Sequence, residues 1–233
     1  MSLRLYLAMT ETEIRRASVL PRHLAYMACH FSPYGTGLVN IPQRLPPGSI
    51  LIVNDRVPVM MHDPAQIAKQ LFDAVHRLQA FGVLMDLQIP NNSRTAQIVK
   101  SVCNALPCPV GVSESYAADL PCSVFGAPPI YSPLETYIQN TKSRPLWLEA
   151  FQETAFLAIT DSGCKTVQEE TFTGTSFRDD VLHCNYQYKI QKDRVLFHFS
   201  RQTENIPGYL HDANRLGVEV AVGLYQQLKN LPM

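Results

Sequence analysis

The sequence carries no excess of charge of either sign. Its 233 residues include 20 basic and 20 acidic side chains, which sum to a formal net charge of zero. Nucleic-acid-binding proteins usually carry a basic patch or stripe, and no cluster of Lys and Arg interleaved with aromatic residues occurs here. We therefore expect no nucleic-acid partner.

Long apolar runs are missing as well. No segment approaches the roughly 20 apolar residues of a membrane-spanning helix, and acidic residues follow at once on the short apolar run in MSLRLYLAMTETEIRR. This N-terminal segment also lacks the longer apolar core and the small-residue cleavage site of a signal peptide. We therefore expect a cytoplasmic protein that makes no membrane contact.

Paired cysteines and phosphate-binding glycine turns are also lacking. No cysteine forms C-x-x-C or pairs with a histidine at zinc spacing, and Gly35-Thr36-Gly37 lacks the third glycine of a dinucleotide-binding turn. We expect reduced, mostly buried thiols, no metal and no cofactor. The cysteines are Cys29, Cys103, Cys108, Cys122, Cys164 and Cys184.

Short apolar runs, by contrast, are frequent. Apolar residues make up 46% of the chain, enough for a sizeable core. Eight strand-like runs alternate with helix-like segments or loops, which is typical of a parallel sheet covered on both faces. Eight such units predict a small closed (β/α)8 barrel of the TIM type, and the alternative is an open doubly wound sheet. The runs are residues 3–9, 23–31, 49–55, 81–88, 109–115, 122–129, 145–151 and 218–226.

Capping signals mark the starts of helices between these runs. Thr10 and Glu13 have the spacing of a capping box, and Asp63 followed by Pro64 is a typical N-cap and first helical residue. Asn92 or Ser93 is expected to cap the next helix.

The region 152–201 breaks the alternation. Residues 156–167 and 183–200 have the pattern of antiparallel hairpins, and the polar segment 169–180 between them is expected to be a loop. We therefore predict one barrel domain over residues 1–233, with 152–201 as an antiparallel β insertion after the seventh strand.

The end of the fourth run is the most informative place for function, because the chemistry of a β/α barrel lies at the C-terminal ends of its strands. In FGVLMDLQIPN (81–91) alternation puts Asp86 and Gln88 on one face, which should point into the barrel mouth. A charge on an apolar strand is costly unless it is paired or open to water. Asp86 is therefore either a functional residue or an acid bonded to a neighbour such as Asn54 or Tyr225.

This segment resembles the fourth-strand motif of family 18 glycoside hydrolases, the chitinase-like enzymes. Their motif is D-x-D-x-E, often followed by proline. Leu84 stands at the first aspartate, Asp86 matches the second, Gln88 replaces the glutamate, and Pro90 falls at the proline. The β insertion after the seventh strand, and Tyr225 where the family has a closing aromatic residue, extend the resemblance over most of the chain.

The replacement of the glutamate is the main departure from the family pattern. The resemblance implies that this glutamate would protonate the glycosidic oxygen and that Asp86 would orient the substrate acetamido group. Gln88 has no proton to donate at useful pH, and loss of a general acid commonly costs about two to four orders of magnitude in rate. The ordinary chitinase mechanism is therefore not expected.

Other strand ends supply further candidates. Glu149 could pair with another acid, since retaining glycosidases hold two carboxyls about 5 Å apart, and Glu114 is a similar candidate. The structural alternative for Glu149 is a salt bridge with Arg201. Trp147 shares the face of Glu149 and is either a sugar-stacking or a core residue. The predicted ligand contacts are Gln88, Tyr225, Gln226, His30, Asn54, Asp55 and Trp147.

Three functions remain open from the sequence. The first is a chitinase-like barrel that binds an oligosaccharide, such as a glycan or peptidoglycan fragment, without efficient cleavage. The second is a hydrolase that uses another carboxylate pair drawn from Asp86, Glu114 and Glu149. The third is a non-enzymatic scaffold. The fold alone does not choose among them.

Overall fold

The structure, a computed structural model, describes residues 2–57, 61–90, 92–141, 144–169 and 171–231. Strands and helices alternate along most of the chain. The strands are β1 (Arg4–Met9), β2 (Leu24–Phe31), β3 (Leu38–Val39), β4 (Ile50–Asn54), β5 (Gly82–Asp86), β6 (Val110–Ser113), β7 (Ser123–Gly126), β8 (Leu146–Glu149), β9 (Glu153–Thr160), β10 (Gly163–Thr166), β11 (Phe177–Asp179), β12 (Cys184–Ile190), β13 (Val195–Arg201) and β14 (Val220–Leu224). The helices are α1 (Glu11–Arg16), α2 (Pro64–Leu78), α3 (Ser93–Ala105), α4 (Leu134–Asn140), α5 (Ile206–Arg215) and α6 (Tyr225–Leu228).

Eight parallel strands close into a barrel. Their order is β1-β14-β8-β7-β6-β5-β4-β2, and β1 also pairs with β2, which closes the ring. In the register between β4 and β5, Asn54 lies opposite Asp86 at the C-terminal end, which we call the mouth. The predicted (β/α)8 barrel is therefore confirmed, and the open-sheet alternative is wrong.

Side-chain alternation divides the core into two layers. Leu84 on β5 points into the barrel, where it packs in one cluster with Tyr6 and Trp147. Its neighbours Val83 and Met85 point outward into the larger cluster between the strands and the helices. The alternation predicted for LMDLQ is thus confirmed over the strand itself.

Trp147 fills the barrel interior near the N-terminal ends of the strands. A Cβ atom added at Gly111 would collide with the indole ring, so glycine is required for this close approach. The ring of Phe81 stacks on the indole with centroids 6.1 Å apart. Trp147 is therefore a core residue at the end opposite the mouth.

The helices begin where the capping signals predict. Thr10 and Glu13 form the complete capping box of α1. Asp63 caps α2, whose first residue is Pro64, and the Asn92 side chain accepts from the backbone N–H groups of residues 94 and 95 to cap α3. None of the helices in the described residues is long and apolar enough to cross a membrane.

The predicted β insertion is a five-stranded antiparallel sheet of order β10-β9-β13-β12-β11, which we call the insertion sheet. It lies in the chain between β8 and β14. One part of the prediction is wrong, because the expected loop at 169–180 contains β11. Phe177 on this strand lies opposite Tyr186, and their rings stack with centroids 5.5 Å apart. A three-residue strand is too short to produce a readable alternation.

The last barrel strand is shorter than expected. β14 ends at Leu224, and Tyr225 begins α6 instead of extending the strand to residue 226. Because Val220 and Val222 point inward, alternation would also place Tyr225 on the outer face if the strand continued.

Candidate functional site

Asp86 and Gln88 lie together at the mouth. Asp86 is the last residue of β5 and is partly buried, whereas Gln88 is exposed. The Gln88 Nε2 donates a hydrogen bond to Asp86 Oδ1 at 2.6 Å. The amide of Asn54 donates to the Met27 and Cys29 carbonyl oxygens, so it does not neutralise Asp86.

The chain after β5 is held by groups from neighbouring strands. The buried carboxylate of Asp55 accepts from the backbone N–H of Gln88 at 2.9 Å and of Ile89 at 2.8 Å. The Ser113 hydroxyl accepts from the Leu87 N–H at 2.8 Å, and the Tyr116 hydroxyl donates to the Ile89 carbonyl at 2.5 Å. These contacts fix the position of Gln88 relative to Asp86.

A cavity of about 150 Å³ lies beneath Asp86, inside the barrel, and we call it the inner cavity. Asp86 and Glu149 line it together, with Asn54 and Arg56 as its other polar residues. Its apolar lining residues are Ala8, Met27, Ile52, Leu84, Phe125, Phe151, Val222 and Leu224. Met27 faces the cavity because strand alternation places it on the same inward face as Ala25.

A wider opening of about 480 Å³ borders the inner cavity, and we call it the outer groove. It brings together Asp86, Gln88, Glu114 and Glu149, and shares Asp86 and Glu149 with the inner cavity. The three carboxyl groups predicted as catalytic candidates thus face one continuous depression. This position suits a chain-like ligand that extends along the mouth.

Glu149 ends β8 and is the acid most strongly perturbed by its surroundings. Burial, together with the charges of Asp86 and Glu153, raises its pKa from an ordinary value of 4.5 to about 7. Among the described residues its carboxyl group forms no ion pair or hydrogen bond. Arg201, the suggested partner, pairs with Glu153 instead, at 3.4 Å, so the salt bridge considered for Glu149 is wrong.

The pKa of Asp86 is shifted in both directions by its surroundings. Burial raises its pKa, the hydrogen bond from Gln88 lowers it, the nearby charge of Asp55 raises it, and Arg56 lowers it, with a net shift upward. Two carboxyls that share an apolar cavity disfavour each other's ionised form. A ligand that donates a hydrogen bond to Asp86 or Glu149 would stabilise the ionised form of that carboxyl group.

Glu114 lies in the turn that follows β6 and is exposed. Its Oε2 accepts a hydrogen bond from the Tyr137 hydroxyl at 3.2 Å. Burial raises the pKa of Tyr137, and the charges of Glu114 and Glu149 raise it further, so the hydroxyl stays protonated as a donor. A Cβ at Gly126 would collide with this hydroxyl, which explains the glycine at the end of β7.

Several predicted contacts lie away from the site. Tyr225 packs against the outer core and does not line the inner cavity, so its predicted place beside Asp86 is wrong. Gln226 hydrogen-bonds the carboxylate of Glu13. The ring nitrogens of His30 contact the Phe31 carbonyl and the Asn40 side chain.

Trp147 and Asp55 also have structural positions. Trp147 lines a separate cavity at the opposite end of the barrel, so the core interpretation of this residue is the one that fits. Asp55 anchors the backbone after β5 and is almost fully buried, with 3% of its surface exposed. Of the predicted contacts, Asn54 and Gln88 remain at the mouth.

The sequence interpretation missed Arg56, Phe151 and Leu224, which line the inner cavity. Leu224 could have been found, because Val220 and Val222 point into the barrel and alternation places residue 224 on the same face. Arg56 and Phe151 lie just beyond strand ends, where the alternation stops.

The acids of the mouth are not grouped as metal ligands. In the part of the chain that the structure describes, no set of three or more His, Cys, Asp or Glu side chains could hold a metal ion.

Comparison with solved structures finds the same fold in glycan-degrading enzymes. The Bacillus cereus spore cortex-lytic enzyme SleL matches 100% of this chain and 72% of its own, with a TM-score of 0.58 at 11% identity. The GH18 chitinase of Cycas revoluta, solved as a double mutant in complex with (GlcNAc)4, matches 96% of this chain and 95% of its own, with a TM-score of 0.54 at 11% identity. The Chromobacterium violaceum chitinase matches 99% and 96%, with a TM-score of 0.54 at 7% identity.

At these TM-scores and sequence identities, the comparison establishes a shared barrel fold and does not extend to activity or site residues. It confirms, at the level of fold, the resemblance to the chitinase-like barrels. No protein-family model matches the sequence, and no curated protein was found to be similar to it.

Proposed function

We propose that this barrel binds a glycan containing N-acetylglucosamine, such as a chitin oligomer or a peptidoglycan fragment, at its mouth, and does not cleave it by the family 18 route. The observation that carries the proposal is the position of Asp86. Its carboxyl lies at the end of the fourth barrel strand, directly above an apolar cavity, with only Gln88 bonded to it in the described residues.

The inner cavity has the character that an acetamido group requires. Its walls are mostly apolar, which suits a methyl group, and Asp86 and Asn54 stand at its rim to meet an amide. Ligand sites commonly combine apolar walls with a few placed polar groups. Asp86 would accept a hydrogen bond from the acetamide N–H, the role that the resemblance assigns to it.

The outer groove would hold the rest of the ligand. It is wider than the inner cavity and is lined by polar side chains, including Gln88 and Glu114. Hydroxyl groups of a sugar chain can donate to these oxygens and accept from the Gln88 amide. A ligand of several sugar units fits this arrangement better than a small metabolite.

The absence of cleavage follows from Gln88. It occupies the position of the acid in the family motif, and an amide cannot protonate a leaving oxygen. Two neighbours of the same fold support the ligand class, since one is described as a spore cortex-lytic enzyme and one was solved with (GlcNAc)4.

A second function is favoured by one observation, the pKa of Glu149. A carboxyl with a pKa of about 7 is still partly protonated near neutral pH and could act as a general acid. With Asp86 as its partner across the inner cavity, it would give a hydrolase of different design. Its activity would fall as the pH rises through about 7, because the acid then loses its proton.

A fluorogenic chitobioside assay separates the two functions. The wild type, Gln88→Glu, Glu149→Gln and the surface control Glu135→Gln are compared across pH 4 to 9. The binding proposal predicts negligible wild-type turnover and an increase in Gln88→Glu, because that variant restores the acid beside a competent Asp86.

The hydrolase alternative predicts the opposite pattern. Wild-type turnover would then be clear, would be lost in Glu149→Gln by about two to four orders of magnitude, and would be unchanged in Glu135→Gln. That result would contradict the proposed function and establish the second one.

A further inference from the structure

A second cluster of reactive side chains lies far from the mouth. Cys103, Cys108, Cys122 and Arg144 line a groove of about 410 Å³, which we call the thiol groove. It is also bordered by Pro109 and Pro145, the residues just before β6 and β8, so it opens at the N-terminal end of the barrel.

Two of the thiols line the same wall of the barrel end. Cys103, on α3, and Cys122, immediately before β7, both border the thiol groove, and each thiol shifts the pKa of the other. In the chain, 18 residues separate Cys103 from Cys122.

Both reach the wall of the groove, with 8% of each side chain exposed.

Arg144 is fixed beside the sulfur of Cys122. Its Nη2 donates to Cys122 Sγ at 3.6 Å and to the Leu120 carbonyl at 3.2 Å, and it also bonds the Ala117 carbonyl. The Cys122 thiol itself donates to the Ala117 carbonyl at 3.8 Å, a contact that ends when the thiol ionises. The guanidinium therefore stays in place to stabilise a thiolate.

The two thiols differ in acidity. The neighbouring Cys103 thiol and the Arg144 guanidinium together lower the pKa of Cys122 to about 7, against the opposing effect of burial. The neighbouring Cys122 thiol, together with burial, raises the pKa of Cys103. Since the thiolate is the nucleophile in thiol chemistry, Cys122 is the member of the pair that attacks.

We propose that Cys122 is a peroxide-sensitive thiol that Cys103 resolves, so that a hydroperoxide converts the pair into a disulfide joining α3 to the start of β7. The groove that both thiols line, and the Arg144 guanidinium bonded to Cys122 Sγ, carry this proposal. It is independent of any ligand at the mouth.

The chemistry balances with one equivalent of peroxide. The Cys122 thiolate attacks one oxygen of the hydroperoxide, the O–O bond breaks, and the leaving oxygen takes up a proton, which gives the sulfenic acid. Cys103 then attacks that sulfur, the S–O bond breaks, and water leaves as the S–S bond forms. Peroxide is reduced, both sulfurs are oxidised, and a dithiol reductant reverses the change.

The test is peptide mass spectrometry of the intact chain after treatment with equimolar hydrogen peroxide and alkylation, without reductant. We expect a peptide cross-linked through Cys103 and Cys122. Cys103→Ser should stop at a sulfenic acid on Cys122 that dimedone traps. Cys108→Ser is the matched control, since Cys108 lines the same groove, and it should leave the cross-link intact.

Charge, not exposure, should decide the order of reaction. At pH 7 Cys122 should be oxidised at least about tenfold faster than the exposed Cys164. Arg144→Gln should slow Cys122 oxidation by about tenfold at pH 7. In the wild type the rate should rise with a midpoint near pH 7, which tests the proposal even if Arg144→Gln does not fold.

Three results would overturn the inference. Oxidation that begins at Cys164 or Cys108 would show that exposure governs reactivity. A sulfenic acid on Cys122 that persists in the wild type would show that Cys103 does not resolve it. A rate midpoint near pH 9 would show that Cys122 is an ordinary thiol.

Discussion

At the scale of single residues, Glu149 is the carboxyl group whose ionisation its surroundings oppose most strongly. Burial and the charge of Asp86 raise its pKa to about 7. Its proton is therefore retained in the folded protein over a pH range in which the unfolded chain has already released it. Stability must fall as the pH rises from about 4.5 to about 7, because in that window the unfolded state binds fewer protons.

Glu149→Gln should remove this dependence. At pH 5 the variant should lie within about 1 kcal/mol of the wild type, because Glu149 is still protonated in the folded state and only the unfolded chain has begun to release this proton. At pH 8 the variant should be more stable by about 2–3 kcal/mol, since the wild type carries a buried charge that the amide lacks. Urea unfolding at both pH values measures the difference.

The control for this measurement is Glu135→Gln, an exposed acid on α4. It should leave the difference between pH 5 and pH 8 unchanged. Equal pH dependence in Glu149→Gln and the wild type would contradict the proposed charge state of the inner cavity.

At the scale of elements, Asp55, the buried residue that follows β4, helps to position the segment after β5. Asp55 accepts two backbone hydrogen bonds, from Gln88 and Ile89. In Asp55→Asn the amide oxygen can still accept one of these two hydrogen bonds. The amide NH2 group would face the other backbone N–H, which then has no acceptor. Hydrogen bonds to charged groups each contribute about 1.5–3 kcal/mol.

Asp55→Asn should therefore lower the free energy of unfolding by about 2–4 kcal/mol, measured by urea denaturation. Asp63→Asn is the matched control, because asparagine caps a helix about as well as aspartate and α2 should lose well under 1 kcal/mol. Equal small losses in the two variants would mean that Asp55 does not hold the segment.

Strand alternation predicted the orientation of some side chains correctly and was misapplied to others. Alternation in β5 correctly placed Leu84 inside and Val83 outside the barrel, because the period of a strand is fixed by its geometry. Tyr225 lies outside the barrel because alternation from Val220 and Val222, which point inward, puts residue 225 on the outer face, where α6 also begins. The same alternation, continued from Val222, leads to Leu224 in the cavity.

At the scale of the whole molecule, the insertion sheet is joined to the barrel through Arg201. This buried side chain pairs with Glu153 and donates to the Leu182 and His183 carbonyls. Its guanidinium also lies 4.3 Å from the ring centroid of Tyr209 on α5. One residue of β13 therefore contacts the neighbouring strand, the preceding turn and a barrel helix.

Arg201→Leu should lower the free energy of unfolding by about 2–4 kcal/mol, because it leaves a partly buried carboxylate and two carbonyl groups without their partner. Arg178→Ala is the matched control on the same sheet. Arg178 pairs with Asp180 at an exposed site, so its loss should cost less than about 1 kcal/mol. Similar losses in both variants would contradict the role of Arg201.

The barrel could be predicted from the sequence because eight apolar runs that alternate with helices are compatible with few arrangements of a parallel sheet. The long-range side-chain contacts could not be predicted. Arg201 was considered as a partner of Glu149 but pairs with Glu153, four residues later in the chain. The convergence of Asp86, Glu114 and Glu149 on one groove followed from the topology of strand ends, whereas the depth and lining of the inner cavity depended on residues just beyond the strands.

The most direct test of the proposed function is calorimetric titration of (GlcNAc)4 into the wild type, Asp86→Ala and the control Glu135→Gln, with folding of each checked by thermal unfolding. Glycan binding at the mouth predicts saturable binding by the wild type and by Glu135→Gln. It predicts binding at least about tenfold weaker in Asp86→Ala, since a hydrogen bond to a carboxylate is worth about 1.5–3 kcal/mol. Equal affinity in the wild type and Asp86→Ala, or no binding by a folded wild type, would contradict it.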